Sequence, residues 1–377
     1  MPNRIYLDNA ATTPVDPRVV EAMLPFLNDK FGNPSSIYSF GRETRLAIEN
    51  ARKTVAALLN AHPAEIFFTS CGTESSNTII HGAVNDMGCT HLITSPIEHH
   101  ATLHTVEDLS ARGSVQTSYV KVLSNGHIDL DDLEALLREH EGEKTLVTLM
   151  HANNEIGNLL DLEAVGQLCL DHGALFHSDT VQTVGHYPIN LRNTPVHFIT
   201  GSAHKFHGPK GVGLLYVNEN VRIKPFIHGG SQERNMRAGT ENVYGIVGFA
   251  RALELAAQEM DKERSHILDL KKYAHAQLLK ELDEVSFNGD PLGQSLYTVL
   301  SVSFPKTEKS EMLLFNLDIN GICASGGSAC TSGSDQGSHV IRAISNDPNR
   351  VTVRFSFSKY NTRGDIDTLI HTLKQVL

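Results

Sequence analysis

The sequence predicts an α/β protein in two unequal parts: a large domain with a mostly parallel sheet covered by helices on both faces, and a smaller α+β domain. Three observations predict it. Between about residues 45 and 220, short β-branched or aromatic runs alternate with longer helical patterns. Polar residues gather just after those runs, and beyond about residue 245 the rhythm changes to one long amphipathic stretch followed by short strands. Repeated strand-helix-strand units give a mostly parallel sheet with both faces covered.

In order, strands are expected at 65–70, 91–95, 145–150, 174–178, 198–201 and 213–217, with helices such as 44–59 and 162–171 between them. Thr73, His99, Asn154, Asp179 and Lys205 follow strand ends, the edge at which open α/β sheets bind ligands. A helix over 248–282 leads to short strands at 298–304, 321–324 and 351–356. The expected division is 14–250 for the large domain, with 1–13 and 251–377 forming the small one. Between Ser325 and Ser338, nine of fourteen residues are Gly or Ser, which leaves little side-chain burial to offset backbone ordering. A mobile loop carrying Cys330 is expected there.

A chain of 377 residues can bury a core deep enough for a cofactor. Its 40% hydrophobic and 20% charged content are ordinary for a globular protein. The net charge of -11 and the lack of a basic stripe exclude nucleic-acid gripping as the main task. No run reaches the roughly 20 apolar residues of a membrane span. The start of the chain moves straight into a strand-like Arg4-Ile5-Tyr6-Leu7, so a cytoplasmic protein is expected. Cysteines at 71, 89, 169, 323 and 330 read as reduced thiols rather than a disulfide framework. Cys323 falls in a strand-like run and is expected to be buried; Cys71, Cys89 and Cys169 read as small apolar residues.

The chemistry starts from Lys205, which follows an apolar strand in the stretch Gly201 to Gly211. Partial desolvation at that edge suits a lysine that bonds covalently to a carbonyl carbon. Taken alone, a solvated surface lysine is the commoner outcome, and Lys210 is read that way. Asp179, after another buried run, supplies the carboxylate that a pyridine nitrogen needs; its ordinary alternative is a helix N-cap. In Phe68-Thr69-Ser70-Cys71-Gly72-Thr73-Glu74 a strand ends in small residues where a helix begins, a geometry that receives phosphate on free N–H groups.

With these residues in order, the sequence resembles the cysteine desulfurases of the NifS/IscS type, within the class V aminotransferase group of fold-type I pyridoxal-5′-phosphate (PLP) enzymes. The resemblance covers almost the whole chain and includes Tyr6 to Pro14, Glu98-His99-His100, Asn153 to Gly157, Ser202 to Gly211, Arg237 to Thr240 and Ser328 to Ser332. It implies that Lys205 holds PLP, Asp179 pairs with the ring nitrogen, and Gln182 contacts the ring hydroxyl. Gly72, Thr73, Ser202 and His204 would hold the phosphate, with Thr240 reaching it from the neighbouring subunit of a homodimer. His99 would stack on the ring and move protons, which suits an imidazole. By the same resemblance Asn154 would also belong to the cofactor site, and with Arg354 it would bind the substrate carboxylate. A surface arginine on an edge strand is the alternative for Arg354.

Cys330 decides the reaction type that the resemblance implies. L-cysteine would be converted to L-alanine, leaving a persulfide on Cys330 for an iron-sulfur scaffold or another sulfur acceptor. His100 and His104 are spaced as half of a metal site, but no further ligand accompanies them and no metal is expected. Cys71-Gly72 stands where the family more often has Gly-Ala, and the loop after Cys330 departs from the usual pattern through Gly333 to His339. A selenocysteine lyase, a class V aminotransferase, or a catalytically silent partner that retains the fold are the competing readings.

Overall fold

The computed structural model describes residues 4–326, 337–345 and 347–377. The strands are β1 (Ile5–Tyr6), β2 (Ile66–Thr69), β3 (His91–Thr94), β4 (Gln116–Tyr119), β5 (Thr145–Thr148), β6 (Leu175–Asp179), β7 (Phe198–Ser202), β8 (Gly213–Val217), β9 (Ser286–Phe287), β10 (Val299–Pro305), β11 (Ile322–Cys323) and β12 (Arg350–Ser356). Seven of them form the central sheet in the order β2-β8-β7-β6-β5-β3-β4. β8 is antiparallel to both β2 and β7, and the other neighbouring pairs are parallel. β8 alone therefore runs against the rest.

The sheet is buried on both faces because its strands are apolar at consecutive positions. Phe68, Leu214 and Tyr216 face one core, while Phe67, Leu215 and Val217 face the other. The first face is covered by helix α2 (Ser39–Leu58) and the front half of the long helix Val243–Glu281. The second is covered by α3 (Gly72–Asn85) and α4 (His100–Ala111). Asp179 and Ser202 end their strands, and Lys205 closes a single 3₁₀ turn, Ala203–Lys205, directly beyond Ser202.

A second core surrounds the antiparallel sheet β12-β10-β9 and the parallel pair β1-β11. Within the long helix, Val243 to Leu255 contribute buried residues to the first core and Ile267 to Leu278 to the second. The N-terminal segment links the two. β1 pairs with β11, and a few residues later the Thr13 and Asp16 N–H groups donate to the carbonyls of His204 and His207, at 2.9 and 3.0 Å. No helix among the described residues is long and apolar enough to cross a membrane.

Candidate active site

A cavity of about 230 Å³ opens at the edge where Asp179, Ser202 and Lys205 emerge, and Gly72, Thr73, His99, Asn154, Gln182, His204 and Arg354 also line it. Residues from both cores thus meet there, since Arg354 lies on β12 of the smaller sheet. Thr240 is exposed and lies outside this lining. Cys330 lies outside the described residues, as does most of the Gly/Ser-rich segment around it.

The Lys205 Nζ donates to the carbonyls of Ala10 and Ala11, at 2.6 and 3.0 Å. Sequence patterning could not reveal these acceptors, because a main-chain carbonyl leaves no residue-type signal. Lys210, by contrast, is exposed. Asp179 is buried, and its Oδ1 accepts the Val181 N–H at 2.9 Å. That bond caps a turn rather than a helix, and the carboxylate still lines the cavity. Gln182 Nε2 donates to the Ala10 carbonyl at 3.0 Å, and His204 Nδ1 lies 3.1 Å from Thr12 Oγ1.

His99 has a double role that the sequence did not suggest. It is the N-cap of α4, and its Nδ1 accepts the Ala101 N–H at 3.1 Å. In the neutral ring the proton therefore sits on Nε2. Burial lowers its pKa, with Asp179 acting in the opposite direction and Lys205 adding to the lowering, so the neutral imidazole is favoured. Behind it, Glu98 is buried and its pKa is pushed up to about 8, chiefly by burial and further by the Asp179 charge. Glu98 Oε1 accepts from Met150 N and Ser95 Oγ, both at 3.0 Å.

Arg354 is 1% exposed, so the surface-arginine alternative is excluded. Nη1 donates to the Asn154 carbonyl at 2.8 Å and Nη2 to Asp8 Oδ1 at 2.7 Å. Its Nε is buried without a hydrogen-bond partner among the described residues. Ser202 Oγ is likewise buried and has no partner among the described residues. A buried polar atom left unpaired costs stability unless a ligand completes it. Beside Ser202, α3 begins at Gly72, and the first N–H groups of a helix lack intrahelical acceptors. A Cβ on Gly72 would come within 2.6 Å of Val181 Cγ2, so only glycine fits this mouth without displacement. Orphan hydroxyl, helix mouth and carboxylate together fit the phosphate and the ring nitrogen of PLP.

Two cysteines differ from the sequence reading. Cys71 lines the cavity and is half-buried, because as the N-cap of α3 it stands at the mouth rather than in the core. Cys323 is also half-buried, since the pair β1-β11 is only two residues long. Cys89 and Cys169 are buried. His100 and His104 stack with ring centroids 4.5 Å apart, and the His339 ring centroid lies 4.6 Å from that of His100.

A family model described as Aminotransferase class-V matches residues 5–369. A cysteine desulfurase IscS of Dictyoglomus turgidum is 44% identical over 383 residues, covering 100% of this chain and 95% of that protein. A cysteine desulfurase of a Nostoc species is 43% identical over 376 residues, covering 99% and 92%. Among solved structures, a NifS-like protein superposes with a TM-score of 0.91 at 39% identity, covering 99% of both chains. A structure titled SspA in complex with cysteine gives a TM-score of 0.81 at 31% identity, covering 96% of this chain and 100% of that one.

Proposed function

Because the chain belongs to the aminotransferase class-V family, we propose that it is a PLP-dependent cysteine desulfurase that converts L-cysteine to L-alanine and leaves a persulfide on Cys330. The observation that carries this reading is one cavity holding a lysine amine, a buried carboxylate, a neutral imidazole and a buried guanidinium. Bound PLP supplies an electron sink for the charge that develops at the substrate Cα.

The protein's own groups do the rest. Arg354, anchored by Asp8 and the Asn154 carbonyl, holds the substrate carboxylate with its unpartnered Nε. Asn154 borders the same end of the cavity. The Lys205 amine would hold the cofactor and, when free, would take the substrate Cα proton. His99 keeps Nε2 for proton movement because Nδ1 is committed to Ala101. Asp179 would hold the ring nitrogen, Gln182 the ring hydroxyl, and Gly72, Thr73, Ser202 and His204 the phosphate of PLP. The Cys330 thiolate attacks the substrate sulfur, the C–S bond breaks, and carbon receives a proton. The balance is L-cysteine plus thiol giving L-alanine plus persulfide.

The proposal extends to a homodimer, in which Thr240 completes the partner's phosphate site. Exposed Phe31 and Ile37, at 72% and 88%, support an apolar contact surface. The domain division at 14–250 against 1–13 and 251–377 belongs to the same proposal, supported by the long helix serving one core with each half. The sulfur would pass to an iron-sulfur scaffold or another acceptor. The proposed setting is the cytoplasm, which keeps thiols reduced, as Cys71, Cys89, Cys169 and Cys323 are.

The test is to supply L-cysteine and a thiol reductant and to measure alanine and sulfide for the parent, Lys205→Ala and Cys330→Ala. Turnover by the parent alone, with the yellow chromophore retained in Cys330→Ala, is expected. Equal turnover by Cys330→Ala would contradict the persulfide step.

A further inference from the structure

Between the Asp179 turn and the Lys205 turn lies a contact that the reaction scheme leaves unused. His186 Nε2 lies 3.0 Å from the Lys205 carbonyl oxygen, and His186 Nδ1 lies 2.9 Å from the Tyr297 hydroxyl. A carbonyl can only accept, so Nε2 carries the proton and Nδ1 accepts from Tyr297. The ring serves both partners only when neutral, and its partial burial lowers its pKa in that direction. Tyr297 is 3% exposed and belongs to the core of the smaller sheet. The imidazole therefore ties the smaller sheet to the main chain of Lys205.

Two further observations make this a built contact. Gly185 has φ +81, and a Cβ there would come within 2.7 Å of Phe206, so the two turns are in close apposition. Tyr187 Oη accepts the Tyr297 N–H at 3.3 Å, a second bond between the same two segments. On the other side of Lys205, His207 has φ 64, outside the comfortable range for a non-glycine residue, and is held by Thr13 Oγ1 and the Pro14 carbonyl. The charged groups that act on the pair are Lys359, on His186, and Glu263 and Arg264 of the long helix, on Tyr297.

We propose that His186 and Tyr297 are positioning residues that fix the Lys205 amine relative to Asp179 by holding the lysine's main chain from the smaller sheet. The inference rests on Lys205 being the lysine that carries PLP.

The test uses full-length His186→Leu, Tyr297→Phe and His186→Gln, with Leu278→Ala, a fully buried position of the second core outside the cavity lining, as the control. Glutamine keeps one donor and one acceptor, so it is the conservative rescue. Three quantities are read: amide exchange of residues 203–208 in cofactor-free protein, the pH midpoint of the bound cofactor's visible absorption, and kcat and KM for L-cysteine. His186→Leu is expected to raise exchange at 203–208 about tenfold or more, to shift the absorption midpoint, and to lower kcat about 10- to 100-fold with KM within about twofold. Tyr297→Phe should shift each in the same direction by less, and His186→Gln should recover most of the loss.

Parent-like exchange and absorption in His186→Leu would overturn the proposal, as would the same shifts in Leu278→Ala. Should His186→Leu fail to fold, Tyr297→Phe against His186→Gln decides by the same readouts. A parent that shows the lysine-bound absorption but does not consume L-cysteine would defeat the proposed reaction, while exchange and absorption would still decide this inference.

Discussion

Two cavities, both lined by charge, separate a structural network from a binding site. The larger, about 590 Å³, is bordered by Asp16, Arg18, Glu259, Glu263 and Lys359. There the charges answer one another: Lys359 Nζ lies 3.2 Å from Asp16, 3.2 Å from Glu259 and 2.8 Å from Glu263, and Arg18 reaches both Asp16 and Glu259. The smaller cavity, about 230 Å³, instead holds atoms that answer to nothing among the described residues, Ser202 Oγ and Arg354 Nε. Volume ranks the two in the wrong order for function. What marks the smaller one as a binding site is polar capacity left open at a sheet edge, whereas the groove beside Lys359 joins the long helix to the segment that leads into α1 (Pro17–Leu27).

The sharpest break of this contrast is Arg354→Ala. It should raise KM for L-cysteine about 100-fold or more, because a buried charged donor to the substrate is lost. Steady-state kinetics at saturating PLP measure it, and an unchanged KM would place the carboxylate elsewhere. Lys359→Met, in the groove, should do the reverse. Its side chain is only 16% exposed, so removing it leaves Glu263 without its cation, while Arg18 still holds Asp16 and Glu259, and costs about 3 kcal/mol of stability, with PLP affinity unchanged. Denaturant unfolding and a PLP titration on the same variant decide between the two effects.

Ser202→Ala should weaken PLP binding about tenfold while leaving the cofactor-free protein as stable as the parent or slightly more so. A loss of stability without PLP would mean that the hydroxyl has a structural partner. The last expected effect is spread over pH and concerns Glu98. Its folded pKa of about 8 stands above the ordinary 4.5, so the folded state binds the extra proton between those values. Its contribution is fully present below about pH 4.5 and is lost as pH rises through about 8. Glu98→Gln should flatten the stability curve by about 1 kcal/mol per pH unit across that window, read by unfolding at several pH values.

Much of the large sheet was legible because its strands are consecutive apolar runs: β2, β3, β7 and β8 fall within a residue or two of the expected spans. β4, Gln116–Tyr119, was missed since a polar edge strand shows neither an apolar run nor clean alternation. The reversed direction of β8 was equally hidden, as periodicity carries no direction. The polar residues after the strands do converge, yet their partners were not foreseen. Lys205 bonds to two alanine carbonyls, His99 caps a helix, and Arg354 is buried by a salt bridge to Asp8 346 residues away. Such pairings arise from tertiary contact and leave no local trace.

The central claim is that the smaller cavity is the PLP site and that Lys205 bears the cofactor. Borohydride reduction of the PLP-loaded protein, followed by peptide mass mapping, tests it most directly. One reduced cofactor adduct, on Lys205, is expected; an adduct on Lys210, Lys271 or another lysine, or none at all, would rule Lys205 out.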